Sequence, residues 1–419
     1  MHQVNLDLSL EEISKIEGAA GLDLSIKDGI VTKCHFKITE YKRFYTQAIK
    51  GKAAIAAPAL LARICGTCSN AHIMAALQAV ESALKINPSS QTLTLRRLII
   101  NGLIIRDHAL HLYLFVLPDL YQKNSLLDFD DANPEQHQLV HDTFNVKEAG
   151  NQLSILTGGR SVHAPLPQVG GFNQIPKPEN IPPIIQKLQA IRPAVLKLIK
   201  IFTDCPWVQQ QTIPYLALIS SDNSYLSGRL ISSDGLNLSP NQYRQQLEHV
   251  HLPSSHASAY TYKQGSYMTG ALARLNLASN PPSPFPSHNL YHNNLAQALE
   301  ILNAIDDSIQ ILQSTKFSLE KPIKPFLSSG EGIGLIEAPR GILYHRLTIK
   351  DMIITDAEIL VPTGQNQLNI ANDIKNLVNA KLHLGDIDKN KLSHEIEVLI
   401  RAYDPCMSCA SHFLKIKWF

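Results

Sequence analysis

Charge is scarce in this chain. Only 18% of its 419 residues are Asp, Glu, Lys or Arg, and 38 basic against 36 acidic residues leave a formal net charge of +2. There is no long basic run and no interleaving of basic with aromatic residues, which argues against a nucleic-acid partner. No stretch reaches the ~18 uninterrupted apolar residues that cross a bilayer. The N-terminus "MHQVNLDLSLEEISKIEG" is acidic and alternating, unlike a signal peptide. The expected location is the cytoplasm, with any membrane association made through partners. No Gly-x-Gly-x-x-Gly follows a strand-like run, so the dinucleotide-binding fingerprint is missing from this chain. Internal repeats and low-complexity tracts are also missing. Apolar residues make up 44%, enough to bury a large interior. Low charge over such a length fits a surface partly covered by another chain.

Length alone permits two or three domains or one large core. The pattern favours a single unit over 1–419, with an N-terminal β region (1–45), a helical body (46–330) and a C-terminal region (331–419). "VNLDLSL" and "AGLDLSIKDGIVTKCHFKI" alternate with period two around a Lys-Asp-Gly turn, predicting an antiparallel hairpin or small sheet to about residue 39. Helices are predicted within 53–62, over 70–84, 91–116, 135–156 and 184–202, and along Leu295–Leu312. The 91–116 segment is apolar on nearly every face, the mark of a central buried helix. Pro193 should kink or split the 184–202 helix. Pro-rich stretches at 162–183 and 280–288 read as loops. Strand-like pieces return from about 335 to 365. The fold class is mainly α with small β elements (α+β).

Cysteine is sparse too: Cys34, Cys65, Cys68, Cys205, Cys406 and Cys409. Cys34 and Cys205 stand alone in apolar contexts and read as small buried hydrophobes. The other four form two Cys-x-x-Cys pairs, "RICGTCSNAH" and "DPCMSCASH", at opposite ends of the chain. A two-residue gap lets both sulfurs face one soft or borderline metal ion. A tetrahedral zinc staple is one reading, although its halves usually lie close in sequence. A thioredoxin-like redox pair is another, but no βαβ unit surrounds either motif. A site tying the two ends together suits a buried functional centre.

The flanking residues carry a resemblance. Arg-x-Cys-Gly-x-Cys-x-x-x-His and Asp-Pro-Cys-x-x-Cys-x-x-His resemble the first and last signatures of the large, catalytic subunit of nickel–iron hydrogenases. "SKIEG", "RDHALHLY", "GGRSVHAPLPQVGGF", "EAPRG" and "VPTGQN" resemble further family segments, in family order. The short length, "RFYTQAIKG" and "CASH" look more like the cytoplasmic, cofactor-coupled branch (sulfhydrogenase and NAD(P)-linked) than the respiratory one.

The resemblance implies that Cys65 and Cys406 are terminal nickel ligands. Cys68 and Cys409 would bridge nickel to an iron carrying CO and cyanide. His72 would hydrogen-bond a bridging sulfur. Arg340 would hang over the open face, held by Asp107 and Asp404. Pro339, Val361 and Thr363 would surround the diatomic ligands, with Thr363 able to bond a cyanide. Glu17 would take the proton that Cys406 accepts when H2 is cleaved heterolytically. The plain rivals are a structural salt bridge for Arg340, a satisfied core histidine for His72 and an exposed strand-end carboxylate for Glu17.

Two departures stand out. Ala19 replaces a histidine common after Ile-Glu-Gly. Thr46 replaces a glutamate that, with the C-terminal histidine, binds magnesium or a similar ion. Glu40 is the nearby substitute to pair with His412. "FLKIKWF" follows His412, where many members are trimmed by a maturation protease. The implied activity is reversible cleavage of H2 to protons and electrons. Six cysteines cannot also hold an iron–sulfur wire, so clusters belong to a small partner subunit, with further electron-transfer subunits and maturation proteins behind it. The alternatives are an H2-sensing regulatory subunit, or a non-catalytic relative such as the quinone-site subunit of respiratory complex I.

Overall fold

The alternating N-terminal segment forms a three-stranded antiparallel sheet of Leu6–Leu10, Ala20–Lys27 and Ile30–Ile38. The predicted turn closes it. Asp28 (φ 51°) and Gly29 (φ 74°) both take the left-handed conformation that a two-residue hairpin loop needs. The structure is a computed structural model that describes residues 4–41, 43–385 and 387–411.

The apolar 91–116 segment lies within helix Ser90–Ala109, which runs through a π-helical turn, Leu110–Val116, into Leu117–Leu120. Among the described residues this is the one helix long and apolar enough to cross a membrane, but 83% of its apolar window is buried inside the fold. Helices Pro134–Gly158 and His292–Ser314 pack along it. Of the two outcomes expected at Pro193, a split does not occur: helix Ile181–Thr203 continues through it. Pro193 removes a bond to the carbonyl four residues earlier. That carbonyl belongs to exposed Gln189, where water can take it. The buried stripe Ile184, Leu188, Ile191, Val195, Leu198 and Phe202 therefore passes the proline unbroken.

Strands Gly330–Ala338, Gly341–Lys350 and Ile353–Leu360 form an antiparallel sheet in that order. Ala338 pairs with Gly341, so Pro339 and Arg340 are the two residues of its first turn. Helix Ser69–Ala83 lies directly on the first strand. Glycine makes this approach possible: a Cβ on Gly334 would sit 1.9 Å from the Ala75 carbonyl oxygen. Gly334→Ala must push strand and helix apart, at about 1–3 kcal/mol or more for overpacking. Calorimetry should record a lower melting temperature, whereas an unchanged melt would mean the strand yields freely.

The middle of the chain adds strands that the sequence pattern placed only at the two ends. Residues 216–262 hold five short strands: Leu216–Ile219, Arg229–Ser232 and Asn237–Leu238 in one sheet, Leu247–Val250 with Ala259–Tyr262 in another. They enclose a small core of their own, rich in tyrosine (Tyr243, Tyr260, Tyr262, Tyr267) and shared with Tyr344 and Leu360 of the C-terminal sheet. Helices Pro362–Leu384 and Lys389–Ala402 then lead from that sheet to the second cysteine pair. All four paired cysteines lie in the main hydrophobic core, which runs from the N-terminal sheet to the chain's other end.

Candidate metal centre

Local structure aims each pair of sulfurs. Cys65 is extended (φ −141°, ψ 141°) at the end of the 3-10 turn Ala62–Ile64, and Cys68 caps helix Ser69–Ala83. The Cys68 N–H donates to the Cys65 sulfur at 3.3 Å. Cys406 caps the short turn Met407–Ala410, and its N–H donates to the Thr363 hydroxyl at 2.9 Å. The two pairs meet although Cys65 and Cys406 are 341 positions apart. Sulfur–sulfur distances are 3.6 Å (Cys65–Cys406), 2.9 Å (Cys68–Cys409) and 3.1 Å (Cys406–Cys409). All four ligand atoms lie within 4.8 Å of one another, each residue at most 4% exposed. Tyr45 ties the two loops, its hydroxyl reaching the Ile64 carbonyl at 3.2 Å and that of Ser408 at 3.5 Å.

Electrostatics shows what this cluster can hold. Hydrogen bonds from the other three cysteines, Cys406 first, pull the Cys65 thiol well below its ordinary pKa. Burial pushes Cys406 and Cys409 well up. Cys68 ends at about 11: its bonds to Cys406 and Cys409 favour the thiolate, but burial and the adjoining Cys65 outweigh them. Burial thus opposes collecting negative charge on these four sulfurs without a cation. Soft donors so placed fit a soft or borderline metal centre, which would convert them to thiolates.

Three groups surround the sulfurs. The Ile16–Gly18 segment zips alongside Cys406: the two motifs share a parallel bridge, and the Met407 N–H donates to the Glu17 carbonyl at 2.8 Å. Gly18 (φ +81°) keeps this contact close, since a Cβ there would meet Met407 at 2.9 Å and the Ser408 nitrogen at 3.0 Å. The Glu17 carboxyl reaches the Cys406 sulfur at 2.8 Å and accepts the Ser408 N–H at 3.2 Å. Burial, then the charge on Cys65, raises its pKa. It is not the exposed strand-end carboxylate of the rival reading.

Arg340, in its hairpin turn, is 4% exposed. It donates to Asp107 at 2.6 Å and to Asp404 at 2.9 Å. Burial opposes its charge, but Asp107 and then Asp404 outweigh burial and hold it protonated. Arg340, Pro339, Thr363 and His72 line one small cavity with Cys68, Cys406 and Cys409. Val361, buried, immediately precedes helix Pro362–Leu384.

His72 turns its Nδ1 to Nε2 of His345 at 3.1 Å. Burial pushes His72 down to about 4 and His345 further, so one neutral ring donates to the other. His345→Phe should leave a buried nitrogen of His72 without its partner, costing about 1–3 kcal/mol. A melting curve unchanged from the parent protein would count against the pair.

Glu40 lies elsewhere in its bonding. Its carboxylate accepts the Ala19 N–H at 3.1 Å and faces Arg43 at 3.6 Å, so its charge already has protein partners. His412 and the tail 413–419 lie outside the described residues. Among the described residues, the four cysteines are the one group of three or more His, Cys, Asp and Glu ligands gathered for an ion. Cys34 donates to the Ala371 carbonyl at 3.4 Å, away from the cluster.

Residue spacing did not disclose two supports. One is His345. The other is Arg274, which donates to the carbonyls of Ala338 (3.1 Å) and Pro339 (2.9 Å) and is itself held by Glu300 and Glu337. It therefore fixes the turn that carries Arg340. Glu337 opens "EAPRG" and was the available signal; "ALARLNL" offers none.

Buried soft ligands with an arginine fixed beside them and a carboxyl on one sulfur define a candidate metal-binding protein with an acid–base group at its centre. A family model described as nickel-dependent hydrogenase matches residues 43–154 and 289–412. Sulfhydrogenase 2 subunit alpha of Pyrococcus furiosus is 30% identical over 423 residues, covering 98% of this chain and all of the relative. Sulfhydrogenase 1 subunit alpha of the same organism is 30% identical over 437 residues, covering 99% and 100%. A crystal structure of NAD+-reducing [NiFe]-hydrogenase in the H2-reduced state superposes with a TM-score of 0.85 at 23% identity, covering 97% of this chain and 99% of that one. The chain belongs to the nickel-dependent hydrogenase family. Its similarity runs to the sulfhydrogenase and NAD-linked branch, as the motifs suggested.

Proposed function

We propose that this chain is the catalytic subunit of a nickel–iron hydrogenase that interconverts H2 with two protons and two electrons. The observation that carries the reading is the meeting of four buried sulfurs with the Glu17 carboxyl 2.8 Å from one of them. Cys65 and Cys406 would hold nickel alone. Cys68 and Cys409 would be shared with an iron carrying CO and cyanide. When bound, this pair supplies the redox centre at which H2 is cleaved.

The chain's own residues do the rest. Cys406 holds the proton at its sulfur and passes it to Glu17, whose raised proton affinity suits an acceptor. Arg340, pinned by two carboxylates, presents a fixed positive charge towards the sulfurs, which costs no reorganisation during the reaction. Thr363 accepts the Cys406 N–H and keeps its own proton to donate to a cyanide. His72 keeps Nε2 for a bridging sulfur, its Nδ1 being taken by His345. Four of the six cysteines are committed here, so electrons leave to an iron–sulfur small subunit and on to further electron-transfer subunits. A cytoplasmic location goes with this reading, the apolar helix Ser90–Leu120 being spent inside the fold.

Infrared spectroscopy of the protein purified with its partner subunit tests the assignment. CO and cyanide bands, with nickel and iron by elemental analysis, are the expected result. Zinc without nickel and no such bands would overturn it.

A further inference from the structure

Helix Pro134–Gly158 carries a pair of histidines outside the four-cysteine centre. His137 and His141 are four residues apart and therefore share a face. Their Nε2 atoms are 3.1 Å apart. The other ring nitrogen of His137, Nδ1, is 2.6 Å from the Asp131 carboxylate. An Nδ1–H donated to that carboxylate fixes the tautomer and leaves Nε2 of His137 as an acceptor, its lone pair turned to Nε2 of His141.

The loop that presents Asp131 is built in detail. Asp130 accepts the Ala132 N–H at 2.9 Å, and Gln136 accepts the Asp130 N–H at 2.7 Å. Asn133 caps the helix, accepting the N–H groups of Glu135 and Gln136. The backbone on either side of Asp131 is thus tied to the helix, while its own side chain is 92% exposed and bonds His137.

Two imidazole nitrogens at this separation, each about 2.0–2.1 Å from one ion, subtend roughly 100° at it. That lies between square-planar and tetrahedral angles. The His137 side chain is 45% exposed, and His141 is exposed as well. Water can therefore fill the remaining coordination positions. Imidazole ligands select zinc, copper and nickel over magnesium and calcium, which prefer oxygen.

We infer that His137 and His141, oriented by Asp131, form a surface site for a borderline divalent ion such as zinc, separate from the four-cysteine centre. The inference does not depend on the hydrogenase reading. A metal-free rival exists: one ring simply donates its Nε2–H to the other.

The test uses the untagged, fully assembled enzyme dialysed against micromolar zinc. Bound zinc is measured by elemental analysis beside nickel and iron. The site predicts one zinc per chain, absent from the H137A/H141A double variant. D131N should bind it about 10–100-fold more weakly, the usual effect of losing a carboxylate behind a histidine ligand. Both changes lie on the surface, so melting temperature and nickel content should stay as in the parent. Equal zinc uptake by the double variant, no uptake by the parent, or unweakened binding by D131N would each overturn the inference.

Discussion

Glu17→Gln is expected to reduce the exchange of H2 with solvent deuterons by roughly 10²–10⁴-fold, the usual scale for losing a positioned proton acceptor. Nickel content and the infrared bands should hardly change. The amide keeps the shape of the carboxyl and can still accept the Ser408 N–H, which lies 3.2 Å away. It has no basic oxygen to take a proton from the Cys406 sulfur. The bridge between the two motifs is made by backbone atoms, so the substitution leaves it in place. Loss of exchange without loss of metal isolates the proton step. Exchange at the parent rate would mean that the proton leaves Cys406 by another route.

Arg340 should be the most costly single residue to remove. Arg340→Leu abandons Asp107 and Asp404, both buried. Leaving one charge of a buried pair uncompensated costs about 3–5 kcal/mol. Activity should fall by about 10²–10³, as when one preorganised donor is lost from a reaction centre. Arg340→Lys separates the two effects. An ammonium keeps the charge but cannot span both carboxylates as the guanidinium fork does, at 2.6 Å and 2.9 Å. The lysine variant should recover most of the melting temperature and little of the turnover. Parent-level H2 oxidation by the lysine variant would reduce Arg340 to a structural ion pair.

The two Cys-x-x-Cys pairs were legible from their spacing, because one soft metal ion demands two nearby sulfurs. "SKIEG" and "EAPRG" carried meaning only through the family resemblance; Glu17, Pro339 and Arg340 lie beside the sulfurs. Long elements were legible for a different reason: Ser90–Leu120 is apolar on nearly every side, and the C-terminal strands are eight to ten residues long. What escaped has no local signature. The strands between 216 and 262 have four residues or fewer, too short for alternation to show. His345 sits in an ordinary strand, and its role exists only because His72 faces it from another element. Arg274 looks like any helical arginine until Glu300, Glu337 and the Pro339 carbonyl surround it. Pro193 does not split its helix, because the cost of a helical proline depends on whether water can reach the carbonyl it abandons, and sequence does not reveal that.

The backbone bridge between Glu17 and Cys406 has a consequence for biosynthesis. A ribosome delivers Glu17 389 residues before Cys406, so the Ile16–Gly18 segment must wait for its bridging partner. No chain that stops short of Cys409 can hold all four sulfurs. Whatever ions occupy them can be enclosed only after that residue has emerged, and a chain lacking either cysteine pair would leave the remaining thiols open to water.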